Sequence, residues 1–187
     1  GDGNDTITVT TGAIPVDIRT LDGGVGFDIV NIFSTGSVLL PATSIGIEKL
    51  LISDTVHQSL DFSLFSSLTE IELDSGTTID NATITTTLGN GQSLTLDSIT
   101  DGDNDSASLA DGGIIIAQAA SLTSLDITLD AIGPSTSTTK ENIFIDIAGA
   151  GVATANITTI NRSSIVLENS GGSLSTLNIT GSGTLGI

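Results

Sequence analysis

Two short stretches near the start carry the residues best placed to do chemistry. The first is Gly1-Asp2-Gly3-Asn4-Asp5-Thr6-Ile7-Thr8, and the second, after an insertion, is Gly23-Gly24-Val25-Gly26-Phe27-Asp28-Ile29-Val30-Asn31. The second fits the nonapeptide G-G-x-G-x-D-x-U-x at every specified position; the first fits it from its second glycine onward. That spacing suits a hard cation. Calcium takes about six to eight oxygens, so a turn must aim carbonyls and a carboxylate inward, and alternate glycines allow the backbone angles this requires. Asp5 and Asp28 are the expected carboxylate ligands, Gly1, Gly3, Gly24 and Gly26 the carbonyl ligands, with Asp2 and Asp22 flanking the turns as further acidic ligands. One turn holds half a site, and a second turn stacked on it completes the cage. A pair of Gly-Asp hairpin turns without metal is the competing reading.

A second metal candidate lies in Thr100-Asp101-Gly102-Asp103-Asn104-Asp105-Ser106. Asp101, Asp103 and Asp105 alternate as in the opening of a calcium loop, and three like charges so close repel unless water or a cation separates them. The stretch departs from an EF-hand, since Ser106 and Gly112 stand where a glycine and a glutamate are needed, and an acidic solvated loop competes with it. Catalytic signals are weak. His57, the only histidine, has Asp54 and Ser59 nearby but no nucleophile elbow, and reads as a surface loop residue. Glu70 and Glu72 share one strand face, whereas glycosidase carboxylates converge from separate elements, so a solvated face is the better reading. Arg19 is expected to pair with a carboxylate. Asp146 and Glu168 lie in no motif and are expected to be solvated or paired. The chain is read as not an enzyme.

The elements that position these residues are strands. Ile7 and Val30, each two places beyond a turn aspartate, start short β-strands, expected over residues 6–10 and 29–33; shorter strands are expected around Val16 and Ile18 and around Val38-Leu39-Leu40. A phrase then recurs: Ile47-x-x-Leu50-x-Ile52, Leu68-x-x-Ile71-x-Leu73, Leu122-x-x-Leu125-x-Ile127 and Leu174-x-x-Leu177-x-Ile179. Its starts at 47, 68, 122 and 174 lie 21, 54 and 52 residues apart, which fits one coil of a solenoid and then double or triple coils. Helical patterning is weak because β-branched residues and glycines interrupt nearly every window. The expected fold is all-β, a parallel β-solenoid of the β-helix or β-roll kind with calcium turns. At about 20 residues a coil, it makes about nine coils and a rod about 40 Å long. Residues 1–187 are read as a single solenoid domain, 1–35 holding the calcium turns and 36–187 the irregular coils. The opening inside a motif reads as a fragment of a longer chain.

Composition narrows the partners. The chain has 187 residues, 38% hydrophobic but only 3% aromatic, with no Cys, Met, Trp or Tyr. A core without large rings must be filled by Ile, Leu, Val, Ala and threonine methyls, which suits a narrow, regular interior. With 22 acidic residues against 4 Lys and Arg the net charge is −18. That sign disfavours nucleic acid and anionic membranes and favours cations. Only 14% of residues are charged and mean hydropathy is positive, so the chain should fold rather than remain an acidic tail. Without cysteine there is no disulfide, thiol catalysis or cysteine-held metal. No secretion leader opens the sequence, and no apolar run is long enough to span a bilayer as a helix. Threonine rows raise an ice-facing surface, but no long Thr-x-Thr array recurs at fixed coil spacing.

The order of these features, from Gly3-Asn4-Asp5-Thr6-Ile7-Thr8-Val9 through Gly23-Gly24-Val25-Gly26-Phe27-Asp28, Gly46-Ile47-Glu48-Lys49-Leu50 and a loop with His57 to Ser67-Leu68-Thr69-Glu70-Ile71-Glu72-Leu73, resembles the lattice-forming region of RTX-type bacterial surface-layer (S-layer) proteins. The resemblance covers residues 1 to about 79; beyond them it is one of texture. It implies a secreted, extracellular structural protein of the bacterial cell surface that binds Ca2+ and self-assembles into a homo-oligomeric lattice, with cell-surface polysaccharide reached through a domain outside this sequence. The alternatives are an RTX adhesin segment that binds a surface or glycan, and a non-catalytic calcium-dependent domain of a secreted enzyme.

Overall fold

In the computed structural model, residues 1–11, 16–17, 21–34, 38–40, 44–53, 59–74, 78–79, 83–101, 113–118, 122–133 and 143–187 are described. Every regular element among them is a strand: β1 (Thr6–Thr11), β2 (Val16–Asp17), β3 (Leu21–Asp22), β4 (Ile29–Ser34), β5 (Val38–Leu39), β6 (Ser44–Ile45), β7 (Lys49–Ser53), β8 (Leu60–Asp61), β9 (Glu70–Asp74) and β10 (Thr78–Ile79). Then follow β11 (Thr83–Leu88), β12 (Ser93–Asp97), β13 (Thr100–Asp101), β14 (Gly113–Gln118), β15 (Ser124–Asp130), β16 (Ile143–Ile147), β17 (Thr154–Thr159), β18 (Ser163–Glu168), β19 (Thr176–Gly181) and β20 (Leu185–Gly186). Among the described residues no helix is long and apolar enough to cross a membrane.

All the strand pairs are parallel, and together they form a β-solenoid. One sheet has eight strands in the order β1-β4-β7-β9-β12-β15-β17-β19, and a second has six in the order β20-β18-β16-β14-β11-β8. The pairs β2-β5, β3-β6 and β10-β13 make short ladders. With parallel strands about 4.8 Å apart, the eight-stranded sheet stands about 34 Å tall. The expected strands at 6–10 and 29–33 appear as β1 and β4, and the short ones near Val16 and Val38 pair with each other as β2 and β5.

Alternation decides which side chains fill the rod. Successive residues of a strand face opposite ways, and in the long sheet the inward positions stack into columns, two of which run its full height. One runs Ile7, Val30, Leu50, Ile71, Leu94, Ile127, Ile157, Ile179; the other runs Val9, Ile32, Ile52, Leu73, Leu96, Leu129, Thr159, Gly181. Ile84, Ile114 and Ile145 form a matching column on the second sheet, and both sets belong to one core. Thr86 and Thr159 are buried among the aliphatics, so threonine does serve as core filler.

The repeated phrase lies on the long sheet, but its alignment slips. Leu50 pairs with Ile71, as the phrase implies, yet Ile71 pairs with Leu94 and Leu94 with Ile127, so Leu125 falls two residues out of phrase. A slip of two keeps every inward residue inward, whereas a slip of one would expose the core. The gaps of 54 and 52 are double coils, holding the extra rungs β12 and β17. Coil length also varies: rung-to-rung partners are 23 residues apart at Asp5 and Asp28, 20 at Asp28 and Glu48, 30 at Asp126 and Asn156, and 22 at Asn156 and Asn178.

Candidate metal centre

Three turns stack at the entry to the long sheet, each delivering an acidic residue just before a strand. Asp5 precedes β1, Asp28 precedes β4 and Glu48 precedes β7. Asp5 O accepts the Ile29 N–H at 2.9 Å, Asp28 O accepts those of Glu48 and Lys49 at 3.0 and 3.1 Å, and Glu48 O accepts those of Thr69 and Glu70 at 2.9 and 3.0 Å. The side chains climb the same staircase in reverse. The Asp5 N–H donates to Asp28 Oδ1 at 2.7 Å, and the Asp28 N–H donates to Glu48 Oε2 at 2.7 Å.

Asp28 is the pivotal residue. Its side chain is fully buried, at 0% exposure, and Oδ2 is the one buried side-chain polar atom among the described residues that lacks a hydrogen-bond partner. Burying a carboxylate without pairing both oxygens is costly, so an unpaired Oδ2 marks a place where positive charge would be held. The backbone around it is crowded by design. A Cβ on Gly23 would meet Asp28 Oδ2 at 2.6 Å and Gly46 O at 2.0 Å, and one on Gly24 would meet Gly1 O at 2.0 Å. Gly24 (φ 96°) and Gly26 (φ 149°) also adopt angles that L side chains rarely take. Glycine therefore lets carbonyls of adjacent rungs approach closely.

The first and second turns are tied together by further contacts. The Gly3 N–H donates to Val25 O at 2.7 Å, the Val25 N–H to Gly1 O at 3.2 Å, and the Phe27 N–H to Asn4 Oδ1 at 3.0 Å. The Gly1 nitrogen donates to Gly23 O at 2.9 Å, a further tie between the two turns. Asp22 is exposed and caps the second turn, accepting the Gly24 N–H at 3.1 Å. Asp2 is exposed and pairs through its backbone with Val25.

The structure thus brings Gly1, Gly3, Asp5, Gly24, Gly26 and Asp28 together on adjacent rungs. Among the described residues no three or more His, Asp or Glu side chains cluster closely enough to hold a metal by themselves, so a cage here depends on carbonyls. Of the other candidate, Asp101 lies on β13, its backbone paired with Ile79, and Asp103 and Asp105 lie outside the described residues. His57 and Arg19 also lie outside them. Glu70 and Glu72 face Lys49, whose Nζ is 3.9 and 2.7 Å from their carboxylates. Asp146 is buried and accepts the N–H and Oγ–H of Ser170.

Comparison with protein-family models, curated proteins and solved structures finds no match.

Sequence reasoning overlooked Glu48 and Gly46 as partners of this site. The usable signal was positional: Glu48 stands immediately before a strand, as Asp5 and Asp28 do, at about one coil's spacing.

Proposed function

We propose that this chain is a structural module, a calcium-stabilised β-solenoid of an extracellular surface-layer protein that self-associates into an ordered array. The observation that carries the calcium part is the buried Asp28 carboxylate, one oxygen unpartnered, between stacked glycine turns. The residues fit the ion. Asp28 and Asp5 would hold it with carbonyls of Gly1, Gly3, Gly24 and Gly26, an all-oxygen set of the kind calcium favours. Bound there, calcium neutralises carboxylates and cross-links turns of successive coils; the chain's own part is to hold these oxygens on adjacent rungs.

Self-association rests on the resemblance of residues 1 to about 79 to the lattice-forming region of surface-layer proteins.

The test is a calcium titration of the purified, chelator-stripped chain, followed by circular dichroism, light scattering and electron microscopy on one sample. Gain of β-structure with growth of regular two-dimensional arrays is the expected result, and Asp28→Ala should weaken both signals. Calcium-dependent folding without growth would remove the lattice reading. No response to calcium would remove the proposal.

A further inference from the structure

The second turn is longer than the third. Asp22 pairs with Ile45 and Ile29 with Lys49, so six residues (23–28) in the second turn face three (46–48) in the third. The surplus backbone must bulge, and Gly23, Gly24 and Gly26 absorb it. The bulge borders both neighbours: the Cβ positions of Gly24 and Gly26 face Gly1 O and Gly3 O in the first turn, and its other side meets the third. Gly24 O would lie 2.5 Å from a Cβ on Gly46, Gly46 O lies 2.0 Å from the Cβ position of Gly23, and Asp28 Oδ2 lies 2.6 Å from that same position.

The two carboxylate oxygens of Asp28 therefore serve different rungs. Oδ1 accepts the Asp5 N–H in the first turn and keeps a lone pair for an ion on that side. Oδ2, buried and unpartnered, shares its surroundings with Gly46 O. Glu48 adds a second carboxylate to this side, with Oε2 on the Asp28 N–H. Nothing in the sequence of the third turn, Ser44-Ile45-Gly46-Ile47-Glu48, matches the glycine nonapeptide.

We infer that the third turn closes a second cation site, with Asp28 Oδ2, Glu48 and the carbonyls of Gly46 and Gly24 holding a hard divalent cation between the second and third rungs. This rests on the calcium reading of the first two turns and adds a position to it. Asp28 becomes a bridging residue, facing the first-turn ion on one side and the second on the other. Carbonyl oxygens from two loosely matched turns favour calcium over magnesium, which demands near-ideal octahedral geometry. Gly46 also accounts for its own type: its φ is 63°, and a Cβ there would press on Gly24 O, one of the expected ligands.

The experiment is isothermal titration calorimetry of the chelator-stripped full chain with calcium chloride, repeated in excess magnesium, on the wild type and on Glu48→Gln, Asp5→Asn and Asp28→Asn, with circular dichroism of each at saturating calcium. Glu48→Gln keeps an acceptor for the Asp28 N–H, so its backbone contact survives while its charge is lost. The inference predicts that Glu48→Gln and Asp5→Asn each bind one calcium ion fewer than the wild type, that Asp28→Asn binds two fewer, and that magnesium does not replace the ion lost in Glu48→Gln. If Asp28→Asn fails to fold, the other two variants decide alone. An unchanged number and affinity in Glu48→Gln, beside a loss in Asp5→Asn, overturns the second site and leaves the first standing. Absence of calcium uptake in the wild type overturns both.

Discussion

At the scale of single residues, the structure separates glycines that are needed for space from those needed for angle alone. Gly24 has both demands, a φ of 96° and Gly1 O only 2.0 Å from its Cβ position, whereas Gly91 has a φ of 78° and no atom within 4 Å. Gly24→Ala should therefore destabilise the chain by about 2–5 kcal/mol and Gly91→Ala by about 1 kcal/mol, read from urea denaturation midpoints. Equal losses would contradict the close approach of the first two turns. Gln92 offers a second case. It is buried, its Oε1 accepts the Gly89 N–H at 2.7 Å, and its Nε2 donates to Phe62 O at 2.8 Å and Phe65 O at 3.1 Å. One amide thus satisfies the chain around two buried phenylalanines. Gln92→Leu leaves those groups unpaired and should cost at least about 2 kcal/mol; a neutral result in equilibrium unfolding would show that water replaces the amide.

At the scale of elements, position along the rod sets the worth of a side chain. Leu94 on β12 is sandwiched between Ile71 and Ile127 and has no exposed surface. Leu94→Ala should cost about 2–5 kcal/mol. Leu177 on the edge strand β19 has one rung beside it, so Leu177→Ala should cost less than about 1 kcal/mol in the isolated chain. The outer faces carry ladders of their own. Asn178 Nδ2 donates to Asn156 Oδ1 at 2.8 Å and Asn156 Nδ2 to Asp126 Oδ1 at 2.6 Å, and Thr95, Thr128, Thr158 and Thr180 stack beside them. That threonine column is invisible as a repeat in the sequence, because its members are separated by coils of unequal length.

At the scale of the whole molecule, like charge works against the compact state. With a net charge of −18 and 4 basic side chains, the rod repels itself, and the Lys49 bridge to Glu70 and Glu72 offsets only a small part of that. Sodium chloride at about 0.15 M shortens the screening length to about 8 Å, so the melting temperature should rise from low salt to physiological salt in the absence of calcium. A flat profile would argue that the carboxylates are already paired. Calcium should raise the melting temperature beyond what sodium achieves at equal ionic strength, because binding to the folded turns alone adds stability by mass action.

The sequence by itself determined the strand class, the parallel stacking and the apolar positions that start the first strands. Those follow from period-two alternation around glycine turns: Ile7, Val30, Leu50 and Ile71 are each flanked by residues that face outward, and no window supports a helix. It also located Asp28 and its glycines, since a fixed motif needs no partner to be recognised. Register was decided only in three dimensions. The phrase at Leu122-x-x-Leu125-x-Ile127 is satisfied by either of two inward pairings, and the turn lengths and core packing select the one that places Ile127 on Leu94. The partnership of Asp28 with Glu48 and Gly46 belongs to the same class. It arises because a six-residue turn is stacked on a three-residue one, and contacts between rungs depend on which backbones are brought face to face, which residue types along one strand do not encode.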